Sequence, residues 1–178
     1  MKRSRIAAAA LASTALFFVS PALAVDTGTD TGDIAVSLTI DDECVLLTAP
    51  LDFGDTGVVD ADVTATADIV IECTRDSAYE IALDAGDHPS VAGDVDTRNL
   101  LMTGGNADDI VHYQLYTDGA FSDVWGHTIG GDTVARASAT GANETHTIHA
   151  KIPAHQNAPA GDYTDTITAT IWYGEDLD

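Results

Sequence analysis

An all-β sandwich is the fold class that the sequence predicts, on three observations. Short runs rich in Val, Ile, Thr and Tyr follow one another along the chain. Clusters of Gly, Asp, Asn and Pro separate them, and no stretch after residue 24 sustains a capped apolar period of 3.6 residues. Many short strands at such spacing pack as two facing antiparallel sheets rather than as one open sheet.

The chain opens with Lys2, Arg3 and Arg5, an apolar run from Ile6 to Val19, and Ala22-Leu23-Ala24, which together read as an export signal over residues 1–24. The apolar run is too short for a bilayer-spanning helix, which needs roughly 20 residues. Residues 25–41 are expected to form a flexible leader followed by a strand. Val25 to Gly32 has too little apolar content to pack. In contrast, Ile34, Val36, Leu38 and Ile40 recur every second residue, with small or hydroxylated residues between them, which gives a strand one apolar edge. Full burial of four such side chains contributes roughly 6 to 12 kcal/mol, so this strand should seek a groove, in its own domain or in another copy.

Strand character then follows at Val45 to Phe53, Val63 to Cys73, Tyr79 to Asp84, Ile110 to Thr117, Thr145 to Ile152 and Tyr163 to Tyr173. Turn sequences divide them: Asp52-Phe53-Gly54-Asp55, Ala85-Gly86-Asp87, Thr103-Gly104-Gly105-Asn106, Gly130-Gly131-Asp132 and Pro159-Ala160-Gly161-Asp162. In the last run Ile167, Ala169, Ile171 and Tyr173 alternate with Thr166, Thr168, Thr170 and Trp172, so one face points inward and the other is mostly threonine. If nothing pairs with this strand on its free side, it borders an open groove.

Cys44 and Cys73 are the only cysteines, and in an exported chain an even count points to a disulfide. The closed loop of about 30 residues is worth roughly 3 to 4 kcal/mol in the chain-entropy picture. All 29 acidic residues follow the export signal, which holds three of the seven Lys and Arg; four cations against 29 acids leave a formal charge of −25. Such a surface repels nucleic acid and anionic membranes and keeps the protein soluble, a composition suited to a saline habitat.

The residues point to no enzyme, no metal and no organic cofactor. His88, His112, His127, His146, His149 and His155 form no ligand set, because the spacing of three between His146 and His149 puts them on opposite faces of a strand. Asp84, Asp87, Asp94 and Asp96 lack the loop pattern of a calcium site and read as turn acids. Nucleophile elbows, zinc-protease helices and phosphate loops are all absent from the sequence. Trp125 and Trp172 read as packing residues rather than a sugar platform. Asn143-Glu144-Thr145 matches a glycosylation acceptor without further support.

Several segments, in order, resemble the spore coat protein U domain family and its relatives, the archaic chaperone/usher pilins. They are Cys44; Leu51-Asp52-Phe53-Gly54; Ile69-Val70-Ile71-Glu72-Cys73-Thr74; and Tyr79-Glu80-Ile81-Ala82-Leu83-Asp84-Ala85-Gly86. The second half continues with Arg98 to Met102, Val111-His112-Tyr113-Gln114-Leu115-Tyr116-Thr117-Asp118, Trp125-Gly126, Ile152-Pro153-Ala154-His155-Gln156 and Ala158 to Thr166. The resemblance implies an immunoglobulin-like sandwich over residues 42–173 that lacks its final strand. A periplasmic chaperone would hold it, an outer-membrane usher would export it, and the N-terminal strand of the next subunit would complete it by β-strand addition. Ile34, Val36, Leu38 and Ile40 would be the donor, and Ile167, Ala169, Ile171 and Tyr173 the edge of the acceptor groove. Repeated head-to-tail exchange gives a fibre rather than a ring, serving adhesion, biofilm or coat formation. Two departures stand out: Ala150 and His155 replace commoner glycines of the family, and an acidic tail, residues 174–178, continues past Tyr173. The competing reading is a self-contained secreted module, binding carbohydrate or another ligand, whose N-terminal strand folds into its own domain.

Overall fold

The computed structural model describes residues 27–174 and residue 177; the expected export signal lies outside the described residues. Residues up to Leu38 form one unit and those from Thr39 a second, which holds every strand. The second unit is all-β and antiparallel, with a single 3-10 turn at Val95–Thr97 as its only helical element among the described residues. Its strands are β1 (Cys44–Thr48), β2 (Val63–Cys73), β3 (Tyr79–Leu83), β4 (Asn99–Met102), β5 (Ile110–His112), β6 (Gln114–Tyr116), β7 (Val134–Arg136), β8 (Glu144–Ile152), β9 (Tyr163–Thr164) and β10 (Ala169–Tyr173). They form a four-stranded sheet ordered β1-β2-β8-β6 and two three-stranded sheets, β10-β3-β7 and β5-β4-β9.

β2 illustrates how sequence becomes sheet. Ala67, Ile69, Ile71 and Cys73 are buried while Thr64, Thr66, Asp68 and Glu72 are exposed, so the period of two places the apolar groups other than Val70 on one face. The facing strand β3 supplies Tyr79, Ile81 and Leu83, and Trp125 sits between the layers, 1% exposed, with its indole N–H donating to the carbonyl of Ile81 at 2.9 Å. Trp125 is thus a packing residue with its polar tip satisfied. The outer face of β3 is covered as well: the buried Glu80 carboxylate accepts from the Gly130 amide at 2.6 Å and from the Thr133 hydroxyl.

Two expected strands are each broken in two. The run Ile110 to Thr117 divides at Tyr113, where β5 leaves its pairing with β4 and β6 begins pairing with β8. The run Tyr163 to Tyr173 divides between β9, paired with β4, and β10, paired with β3. Both breaks are sheet changes fixed by buried polar groups rather than by Gly or Pro. At the second, the Asp165 carboxylate accepts from the Tyr113 hydroxyl at 2.7 Å and the Asp87 amide at 2.9 Å, and meets His88 Nδ1 at 3.0 Å. Gly86, at φ 81, lies so close to that carboxylate that no Cβ fits. The run Val45 to Phe53 also stops early, at Thr48, since Pro50 has no N–H to continue the ladder. Leu51 and Phe53 then pack on the core as loop residues.

Arg98 is fully buried and donates to the carbonyls of Leu83, Asp84 and Trp125 and to Gln114 Oε1, at 2.6 to 2.9 Å. Burial pulls its pKa down, against the charges of nearby acids, and five hydrogen bonds compensate the lost water. The guanidinium fork therefore ties β3, β6 and the Trp125 segment together. Many of the acids serve turns in the same way: Asp52, Asp84, Asp94 and Asp118 each accept from a backbone N–H two to five residues ahead. The amides of Asp123 and Ser122 and the Ser122 hydroxyl hold the Asp118 carboxyl down at about 2. His155 takes φ 65, a left-handed conformation that suits glycine, and Ala150 is completely buried where β8 pairs with β2 and β6. Both positions therefore have a backbone or packing reason to favour glycine.

His146 and His149 fall on opposite faces of β8. His146 faces inward beside Ile69, its ring nitrogen 2.8 Å from the Tyr79 hydroxyl, while His149 lies outside against Phe121. The Tyr79 hydroxyl donates to Glu144 at 2.7 Å, which joins the two layers by a polar bridge.

Two tests follow from these interior polar groups. Arg98→Met nearly keeps the volume but takes the guanidinium from three carbonyls and from Gln114 Oε1, which retains only the Leu115 amide, so urea unfolding should show a loss of about 3 to 5 kcal/mol; a loss under about 1 kcal/mol would show that water replaces the guanidinium. Burial holds the His146 pKa below its ordinary value, outweighing the attraction of Glu144. Below about pH 6.5 the unfolded chain therefore takes up a proton that the folded one refuses, and stability falls with pH by at most about 1.4 kcal/mol per unit. His146→Gln should flatten the urea midpoint between pH 6.5 and 5; an unchanged slope would exclude His146 as its source.

Candidate functional site

The two layers each end in a strand with one free side, and these two strands are neighbours. Among the described residues β1 pairs only with β2 and β10 only with β3, and β1 and β10 lie against each other. Along β10 the ladder with β3 can be read residue by residue. The Asp84 amide donates to the Thr168 carbonyl at 3.1 Å and the Gly174 amide to the Ala78 carbonyl at 3.1 Å. Hydrogen-bonded pairs alternate in an antiparallel ladder, so the backbones of Thr170 and Trp172 also face β3. The main-chain N–H and C=O groups of Ala169, Ile171 and Tyr173 face the other way, toward the free side.

The side chains beside that free edge are apolar and incompletely covered. Leu46 from the neighbouring β1 and Ile167, Ala169 and Ile171 pack on the core yet remain half-buried, as do Leu51 and Phe53 of the loop after β1. Tyr173, at the end of β10, is 43% exposed. Register explains the faces: Leu46 pairs with the inward Ile71, whereas Val45 and Leu47 pair with Glu72 and Val70 and point outward. The free edge therefore combines a row of backbone groups unpaired among the described residues with an apolar floor. Such an edge is a template for another strand.

The sequence-selected residues divide by position. Ala169, Ile171 and Tyr173 lie on β10, whereas Ile167 lies just before it, in the segment where the chain changes sheets. Cys44 and Cys73 are bonded and occupy the first registered pair between β1 and β2. Ile34, Val36, Leu38 and Ile40 belong to no strand and are 87%, 91%, 83% and 72% exposed. Four large aliphatic groups in alternation, all open to solvent, are an unusual feature in a chain this polar. Leu46, which β1 brings beside β10, was not foreseen there; its signal was its even spacing from Cys44. Among the described residues no three His, Cys, Asp or Glu side chains gather as a metal site.

A family model for the Spore Coat Protein U domain matches residues 30–170. Protein U of Myxococcus xanthus is 29% identical over 112 residues, covering 63% of this chain and 62% of the relative, so the chain spans under two thirds of that relative's length. Among solved structures, the fold is similar to a chain in the CsuC-CsuE complex, a chaperone–tip adhesion subunit pre-assembly complex from archaic chaperone-usher Csu pili of Acinetobacter baumannii. The TM-score is 0.50 at 19% identity, over 75% of this chain and 40% of that one. That likeness places the sandwich in the immunoglobulin-like class. With the match running from Asp30 into β10, the chain belongs to the Spore Coat Protein U domain family.

Proposed function

We propose that this chain is an exported structural subunit of a surface fibre, polymerising by donor-strand complementation in the service of adhesion, biofilm or coat formation. The observation that carries the reading is the free side of β10, where the backbone groups of Ala169, Ile171 and Tyr173 lie unpaired above the half-buried Leu46, Ile167 and Ile171. The occupant is the stretch Ile34 to Ile40 of another subunit. Its alternating side chains fill the apolar floor while its backbone continues the sheet. Residues 1–24 act as the export signal, and the work of the protein is structural rather than enzymatic.

A domain with so much uncovered apolar surface needs a holder before assembly. A periplasmic chaperone that lends a strand supplies one, and an outer-membrane usher exchanges it for the next subunit. The likeness to a chain of a chaperone–subunit complex supports this pair of partners. Since each subunit donates at one place and accepts at another, the contact never closes on itself and a filament results.

Leu38→Asp tests the reading. The charge would sit unpaired in an apolar groove, at a cost of several kcal/mol, while the strands of the donor's own sandwich keep every partner. Electron microscopy should show no fibres, and the variant should still bind a separate peptide carrying the wild-type donor sequence. Polymerisation at the wild-type rate would refute the assignment of Leu38 to the groove.

A further inference from the structure

Resting on the fibre reading above, we propose that Thr74 and Ser77 are positioning residues that pin Asp41–Glu43 to the domain, so that the donor strand leaves it with no free linker and successive subunits are stiffly joined. The β1–β2 pairing does not stop at the Cys44–Cys73 bond. Beyond it the Thr74 amide donates to the Glu43 carbonyl at 2.8 Å, the Glu43 amide donates to Thr74 Oγ1 at 3.2 Å, and Thr74 Oγ1 donates to the Asp41 carbonyl at 3.1 Å. Ser77 is buried, 3% exposed, and its hydroxyl donates to the Asp42 carboxylate, 35 residues away in sequence.

Ser77 is itself immobile. Its amide donates to the Thr74 carbonyl at 3.1 Å and its carbonyl accepts from the Ala139 amide at 2.8 Å. Asp76, between the two anchor residues, holds φ 70 and donates its amide to the Ala139 carbonyl at 2.9 Å, so the turn carrying both hydroxyls is itself fixed. A buried hydroxyl satisfied by a carboxylate from a remote segment does not release it freely. Ile40, the last donor residue, is joined directly to Asp41, the first anchored one. Releasing residues 41–43 would insert up to about 10 Å of slack chain between successive subunits. The disulfide alone could not prevent this, because it begins at Cys44.

The anchor and the fibre can fail separately. Thr74→Val with Ser77→Ala leaves the donor side chains, the groove and the disulfide in place, so full-length subunits should still assemble. Their fibres should lose stiffness, seen as a shorter persistence length in electron micrographs. In the unassembled subunit, amide order parameters at Asp41 and Asp42 should drop from about 0.85 to below about 0.6, while Glu43 stays held by the Thr74 amide. Thr74→Ser, which keeps the hydroxyl, should restore both when paired with wild-type Ser77. Should the double variant not fold, Thr74→Val alone carries the same two readouts. Unchanged stiffness, or order parameters that stay high in the variant, overturns the anchor. A wild-type chain that never forms fibres refutes the fibre reading instead, and the order parameters of the monomer still decide the anchor.

Discussion

A sheet edge with an apolar floor beneath it cannot be left to water at no cost, and the free side of β10 is such an edge. The backbone groups of Ala169, Ile171 and Tyr173 can be hydrated, but Ile167, Ile171 and the neighbouring Leu46 cannot be hydrated without loss. Only an added strand satisfies both demands, since it brings hydrogen-bonding backbone and apolar side chains together at the right spacing. The exposed alternation of Ile34, Val36, Leu38 and Ile40 has that form. One domain thus presents a deficit and its leader a surplus of the same kind.

A sandwich with a free edge strand draws stability from polar cross-links in the interior. Arg98 binds three carbonyls and Gln114, Tyr79 bridges to Glu144 across the layers, and Asp165 fixes the crossing between β9 and β10. The disulfide at Cys44–Cys73 closes β1 onto β2 beside the same open edge. These contacts hold both walls of the groove at a set separation, a precondition for receiving a strand in register. The acidic composition is partly explained too, because many acids cap turns while the rest keep a charged surface apart from its neighbours.

Much of this was legible in the sequence, for physical reasons that particular elements make plain. β2 was read to the residue because its alternation is broken only at Val70 and its partners bury one face. β3 and β8 were read nearly as well. β4 and β7 were missed: they are short, and Asn99 and Arg136 break any apolar pattern. The breaks at Tyr113 and Asp165 were invisible because each depends on a hydrogen bond to a residue far away in sequence. The alternation at Ala169, Ile171 and Tyr173 was legible, whereas the placing of β1 beside β10 was not, since nothing local reports which strand will lie beside which. Arg98 stood in the sequence as one cation among few, and only the packing reveals it as an interior knot.

The central claim is that the domain is one strand short and that Ile34 to Ile40 is the kind of strand it lacks. The most direct measurement is thermal unfolding of the domain without residues 25–40, titrated with a peptide spanning residues 33–41. The account predicts a rise in unfolding temperature that grows with peptide concentration, equivalent to about 2.7 kcal/mol at a hundredfold excess over Kd, and none with the Leu38→Asp peptide. A shortened domain as stable as the full chain and indifferent to the peptide would contradict it.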